Sequence, residues 1–318
     1  MLYTLCFLLL FILILVHSQE AAAFAAQGFL LWYSKMIPSL LPFMILSGLM
    51  IRMGLSEKLG SWFRPLLGPL LRCRSEVSYG ALMGFLCGFP MGARVAAQLY
   101  QAGKINREEA RFLLAFCNNI GPVYFCSFVL PLLGRRLVLP YLLGMYGTAL
   151  LYGILLRRTM FRSLPEPPRE KHTVRKSLSD SARNLPGLRR SSENAGLLDH
   201  LDAAVQAGLQ GIISLCGYMI LFNLLNLIPQ LFLPRLSCWI SPLLEITGGL
   251  NQLGQRCPLY TLMLLPFGGL SCIAQTYSMI HDTDLPLGEY VVHKLILTAI
   301  TGLYYLGWRC LFPHLFLL

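Results

Sequence analysis

Apolar residues run along this chain in long blocks parted by short basic stretches, as in helices that live in lipid. Leu2 to Val16 is apolar without interruption, and Ser18 to Tyr33 reads as an Ala-rich connecting or interfacial helix. Lys35 precedes a span from Met36 to Met53 that contains Pro38 and Pro42. Ala21-Ala22-Ala23 and Ala23-Phe24-Ala25 offer signal-peptidase sites, but no Lys or Arg precedes the first apolar block, so a retained first helix is expected. Arg52, Lys58, Arg64, Arg72 and Arg74 stand against Glu57 in a short basic loop, expected on the cytoplasmic side. Trp62, Phe63, Leu66, Leu67, Leu70 and Leu71 within it predict a helix lying along the membrane surface.

The next block, Val77 to Tyr100, is broken at its centre by Gly88-Phe89-Pro90-Met91-Gly92. Broken backbone in lipid survives only where protein or a wet cavity satisfies its polar groups. If this block crossed the membrane, Lys104 and Arg107 would lie outside. So would the segment 157–200, with ten Lys/Arg against five Asp/Glu. A re-entrant hairpin turning at Gly88–Gly92 removes that contradiction and leaves only Arg135-Arg136 against the rule. Limbs of about 12 residues would be about 18 Å long, enough to reach the bilayer midplane.

Asn106 with Glu109 predicts a capped helix start, and Cys117-Asn118-Asn119-Ile120-Gly121-Pro122 a break, because Pro122 removes a donor and disfavours helix at Gly121. Val123–Leu133 resumes the apolar run, and Leu137–Leu156 returns to the cytoplasm. Residues 157–200 read as a solvated basic linker.

The second half echoes the first. Ser214-Leu-Cys-Gly-Tyr-Met-Ile-Leu221 resembles Ser39-Leu-Leu-Pro-Phe-Met-Ile-Leu46, and Ala274-Gln275-Thr276-Tyr277 resembles Ala97-Gln98-Leu99-Tyr100. Gly269 then falls opposite Gly92. The expected organisation is a first membrane repeat with an N-terminal helix (1–156), a cytoplasmic linker (157–200) and a second, inverted repeat (201–318). Leu259–Ile280 is expected to be the second hairpin, entering from outside at Pro266-Phe267-Gly268-Gly269, and Tyr290–Phe312 to cross back. No second-half counterpart of Leu137–Leu156 is apparent. Matched breaks in two inverted halves point to a transporter's binding site.

Composition sharpens this picture. The 318 residues are 55% hydrophobic and 13% charged, with a mean hydropathy of +0.59, which sets the chain apart from soluble proteins. The net charge of +11 lies in loops and suits an anionic leaflet; no nucleic-acid-binding module accompanies it. Ten cysteines show no CxxC pair and no His/Cys cluster, so neither a metal site nor a cofactor is indicated.

Gly88-Phe89-Pro90-Met91-Gly92-Ala93-Arg94, Cys117–Pro122, Glu245-Ile246-Thr247-Gly248-Gly249 and Pro266–Gln275 together resemble the YlbJ-type sporulation integral membrane proteins of the nucleoside-recognition, or gate-domain, group. The resemblance implies an all-α polytopic fold like that of the concentrative nucleoside transporters, with inverted repeats and two re-entrant helical hairpins. It also implies a place in endospore formation, in the cell or forespore membrane, where the proposed cargo is dipicolinate.

The candidate solute-binding residues are Gly88, Phe89, Pro90, Gly92, Arg94, Asn118, Asn119, Gly268, Gly269, Ser271 and Gln275. The glycines and Pro90 would bare backbone N–H groups to a ligand; the plainer reading is close helix packing. Arg94 would select an anion, or else pair with a protein acid or reach the cytoplasmic surface. Asn118 and Asn119 would bond a polar solute, or simply join helices. Ser271 and Gln275, one turn apart, could share a cavity. Glu245 could couple protons or pair a cation, though an interfacial, solvated Glu is the favoured reading, and His281 and Asp282 read as an external loop. No catalytic constellation is visible, so no enzyme is expected. The leading reading is a transporter or facilitator of a small polar, anionic solute. The rivals are a non-transporting assembly factor for the spore envelope and a nucleoside transporter. Expected partners are a small-molecule solute, the lipid bilayer and, by analogy alone, a second copy in a homo-oligomer.

Overall fold

A computed structural model describes residues 2–165 and 196–316, so most of the expected linker lies outside the described residues. Every regular element among them is helical. Five stretches are long and apolar enough to cross a membrane: Ser18–Arg52, Arg135–Arg158, Leu197–Phe232, Pro258–Ile280 and Leu287–Leu311.

Two of these form the long axis. Ser18–Arg52 is one continuous 35-residue helix, where the hydropathy pattern predicted a connector followed by a separate span. Nothing between Leu31 and Ile37 breaks the helix; the chain absorbs the join as a π-helical stretch, Trp32–Met36. Leu197–Leu224 lies antiparallel to it, with Gly208 on Ile45 and Gly28 on Met219. A Cβ on Gly28 would fall 2.7 Å from the Met219 carbonyl oxygen, the close approach small residues permit between membrane helices. Trp32 adds an Nε1 hydrogen bond of 2.7 Å to the Ile212 carbonyl.

Leu55–Leu71 is the expected amphipathic helix. Its buried side, including Gly60, Leu67 and Leu71, faces Ser75–Cys87, while Trp62 and Leu66 are exposed. The interrupted block becomes two helices, Ser75–Cys87 and Met91–Gln101, joined through Gly88 at φ +83°. The limbs lie side by side and antiparallel, Gly80 meeting Leu99, so the block folds back on itself. Val77–Tyr100 is not among the five crossing stretches.

Arg107–Phe116 begins with the predicted reciprocal cap: Glu109 N–H donates to Asn106 Oδ1 at 2.8 Å and Asn106 N–H to Glu109 Oε2 at 2.9 Å. It stops at Cys117, and helix resumes at Pro122.

The second half differs from expectation in one decisive respect. Leu259–Ile280 does not fold back. Pro258–Leu264 packs on Leu287–Leu311, whereas Gly269–Ile280 packs on Leu197–Leu224 and Met91–Gln101, so the two limbs part across the break and the whole is one crossing-length element. The fold-back lies earlier, in Ser237–Leu244 and Ile246–Leu253, which pair closely: a Cβ on Gly249 would fall 2.2 Å from the Pro242 nitrogen. Its limbs have eight residues each, too short for hydrophobic periodicity to reveal them.

Two corrections follow. The segment after Ile280 is on the face that carries Lys104 and Arg107, since Arg107 Nε lies 2.7 Å from Asp284 Oδ2; His281 and Asp282 therefore do not lie on the opposite side from the first basic loops. A hydrogen bond from Tyr100 and the Arg107 charge hold the Asp284 carboxyl below the usual carboxylate range. The opposite face brings Arg135–Leu137 against Pro313–Phe316. A long helix, Leu287–Leu311, stands late in the second half as Arg135–Arg158 does in the first. Each half holds a long helix, a fold-back, an interrupted helix and a second long helix, the first half with Leu55–Leu71 besides.

Candidate functional site

Four interruptions of the chain meet in the interior. The Gly88 tip abuts Gly121 in the second break, its missing Cβ only 2.3 Å from the Gly121 nitrogen. Phe89 reaches across to the fourth break, where a Cβ on Gly268 would lie 2.9 Å from its ring. Gly269 sits against the Pro242 and Leu244 carbonyls and the Ile246 amide, at the turn of the second fold-back. Glycines at φ +83°, +77° and +82° (Gly88, Gly268 and Gly269) make these turns and leave room for backbone to touch backbone.

Lys294, from the last helix, enters this junction. It is 3% exposed, and its ammonium donates to the Asn118 carbonyl at 2.5 Å and to Asn119 Oδ1 at 2.8 Å. The Phe89 ring centroid is 4.2 Å from the same nitrogen, a desolvated cation–π contact. Among the described residues no carboxylate pairs with it. The Asn118 side chain is also fully engaged: Nδ2 donates to Thr276 and Tyr290, and Oδ1 accepts from the Ala93 amide. The asparagines join helices, the plainer of the two expectations, and in doing so they hold Lys294.

Glu245 forms the turn of the second fold-back. It is 2% exposed, not interfacial; Thr247 and Gly248 N–H donate to its carboxylate at 3.0 and 2.6 Å, and Asn223 Nδ2 at 3.2 Å. A small cavity of about 40 Å³ lies between the two fold-backs, lined among others by Ser39, Phe89, Tyr124, Glu245, Thr247 and Gln275. That is room for one or two waters. Tyr124 hydroxyl donates to Thr247 Oγ1 at 3.1 Å, and Gln275 Nε2 to Ser271 Oγ at 2.8 Å.

Of the residues predicted from sequence, Gly88, Phe89, Gly92, Asn118, Asn119, Gly268 and Gly269 come together at the junction, with Pro90 in the same turn. Gln275 faces the small cavity, and Ser271 is buried beside it. Arg94 stands apart. It lies in the wall of a separate vestibule of about 1000 Å³ and donates through Nη2 to the Ala207 carbonyl at 2.6 Å. Lys294, Thr247 and Tyr124 were missed. Lys294 had a legible signal: it stands deep within an apolar run, where an ionisable residue is a site candidate by default. Thr247 and Tyr124 carried none.

The model of the nucleoside-recognition (Gate) family matches residues 33–156. The match covers the first fold-back and the Asn118-Asn119 break. The chain is also similar to the sporulation integral membrane protein YlbJ of Bacillus subtilis (strain 168), 26% identical over 322 residues that cover 91% of this chain and 78% of that protein. No solved structure matches. The resemblance drawn from the motifs is thereby shown, and with five crossing-length helices the chain is a multi-pass integral membrane protein.

Proposed function

We propose that this chain is a secondary transporter or facilitator that passes a small polar, anionic solute through the junction of its four breaks, and that it is not an enzyme. The observation that carries the reading is Lys294, buried among broken backbone and bound only by neutral groups. A charge so placed costs several kcal/mol, and ionisable residues inside a membrane mark ligand or ion paths. Helix ends that point into the same junction offer backbone N–H groups and partial charge to such a solute. In this reading the two fold-backs are re-entrant hairpins from opposite faces, and the halves are inverted repeats with Ser237–Leu253, rather than Leu259–Ile280, as the partner of Ser75–Gln101.

The residues divide the work. Asn118 and Asn119 hold the Lys294 ammonium; Phe89 covers it; displacement of Phe89 would bring a solute carboxylate to the cation in a dry setting. Glu245 and its amide cap keep the second tip closed.

Purified full-length chain in liposomes should take up a labelled dianion such as dipicolinate in preference to its neutral diamide. Nucleosides belong in the same panel. Flux of nucleosides with none of dianions would make the chain a nucleoside transporter. Absence of flux for the whole panel would favour an assembly factor of spore formation.

A further inference from the structure

A vestibule of about 1000 Å³ opens on the Lys104–Asp284 face, and its lining is cationic. Arg52, Arg94 and Lys104 face it, against Asp282, which is 3.0 Å from His281 Nε2. Neither Arg52 nor Arg94 has an acidic partner among the described residues. Arg94 is only 7% exposed, yet of its five N–H donors the protein engages Nη2 alone, and the buried Nε has no partner. The fold makes room for this guanidinium: a Cβ on Gly211 would fall 2.0 Å from Arg94 Nη1. Its remaining donors lie at the vestibule wall, and no carboxylate meets them among the described residues. A largely buried guanidinium without a counter-ion attracts an anion more strongly than one in water does.

We propose that the vestibule is an anion-capture site, where Arg94 and Arg52, with Lys104, hold a small dianion of the carboxylate or phosphate class. The fork of a guanidinium matches a carboxylate with two parallel hydrogen bonds, which a lysine does not supply. The site leads inward. Ser18–Arg52, Leu197–Leu224 and Gly269–Ile280 each line the vestibule (Gly48, Gln210, Ser278) and also the central cavity (Ser39, Met219, Gln275). Met44, fully buried, meets Arg94 at Gly211 between the two spaces. Only this route rests on the transport reading; the capture site stands on its own geometry.

The test is equilibrium binding of dipicolinate, its neutral diamide and inorganic phosphate to full-length chain in nanodiscs of zwitterionic lipid. Arg52→Gln with Arg94→Gln should weaken both anions at least tenfold and leave the diamide unchanged. Arg94→Lys should fall between, and Arg52→Gln alone, at an exposed position, should already weaken anion binding without loss of fold. Lys294→Met should lower uptake at least tenfold while vestibule binding persists. Anion binding by a wild-type chain that moves no solute would overturn the transport reading and leave this one standing. Unchanged dianion affinity in the folded double variant, or equal weakening of the diamide, overturns it.

Discussion

The two fold-backs reach the same junction by different chemistry. Ser75–Gln101 turns on Gly88, Phe89 and Pro90 with no cap from its own side chains; the Ala93 amide is taken by Asn118 of the next break. Ser237–Leu253 turns on Glu245, whose carboxylate takes two amides and Asn223. The first is a backbone device and the second a side-chain device. A glycine-proline interruption of a long apolar run is visible in any sequence, whereas a capped turn between eight-residue limbs is not. The difference also divides the labour: the first tip presents an aromatic ring to Lys294, and the second presents an acid to the small cavity.

The comparison breaks outright if the second half is threaded differently. In a background without native cysteines, Ser75→Cys, Lys104→Cys and Asp282→Cys should all be labelled from one face, and Arg256→Cys from the other. Labelling of Asp282→Cys together with Arg256→Cys would restore the hairpin first expected at Leu259–Ile280 and remove the correspondence between the halves.

Lys294→Met asks how much the junction depends on the charge. It removes two charge-assisted hydrogen bonds, each worth about 1.5–3 kcal/mol, and uptake should fall at least about tenfold, the equivalent of 1.4 kcal/mol. The Asn118 carbonyl and Asn119 Oδ1 lose their donor, so melting should fall as well, and uptake is compared per inserted, folded molecule. Uptake at the wild-type rate would take Lys294 out of the solute path.

Much of this was legible because lipid imposes strict rules. The backbone break at Gly88–Gly92 located the first turn. Asn106 and Glu109 announced a cap that forms as written. What stayed hidden depends on tertiary contact. Pro266–Gly269 has the composition of a turn, yet its limbs pack on different neighbours and do not return. Glu245 has the composition of an interfacial acid, yet Asn223, from a helix 22 residues away in sequence, covers it.

Glu245→Ala isolates the second device. Losing an N-cap costs about 0.5–2 kcal/mol, so the variant should melt measurably lower than wild type, with Glu245→Gln between them because one amide acceptor remains. Gly147→Ala, with nothing within 4 Å of the added Cβ, serves as a substitution that should leave melting unchanged. If Glu245→Ala melts like wild type, the cap does not hold the second turn.

The smallest effect concerns how the halves are joined on the vestibule face. Among the arginine–carboxylate pairs there, Arg74–Glu109 and Arg107–Asp284 invite the same interpretation, but their surroundings differ; Arg111 also forks onto Glu289 of the other half at 2.7 and 2.9 Å. Arg74 holds Glu109 through two bonds, Nε to Oε1 at 2.9 Å and Nη2 to Oε2 at 2.5 Å, with Glu109 2% exposed and also bound to the Asn106 amide. That pair stays within the first half. Arg107 and Asp284 join the two halves, with side chains 43% and 59% exposed. Exposed pairs contribute about 0–1 kcal/mol and less as salt rises. A double-mutant cycle with Arg107→Gln and Asp284→Asn should therefore give a coupling of at most about 1 kcal/mol, shrinking in high salt. Removing Arg74 should cost more, because it strands a buried carboxylate. A coupling for Arg107–Asp284 as large as the Arg74 effect would mean that the halves are locked together at this face, and the two fold-backs could not move independently.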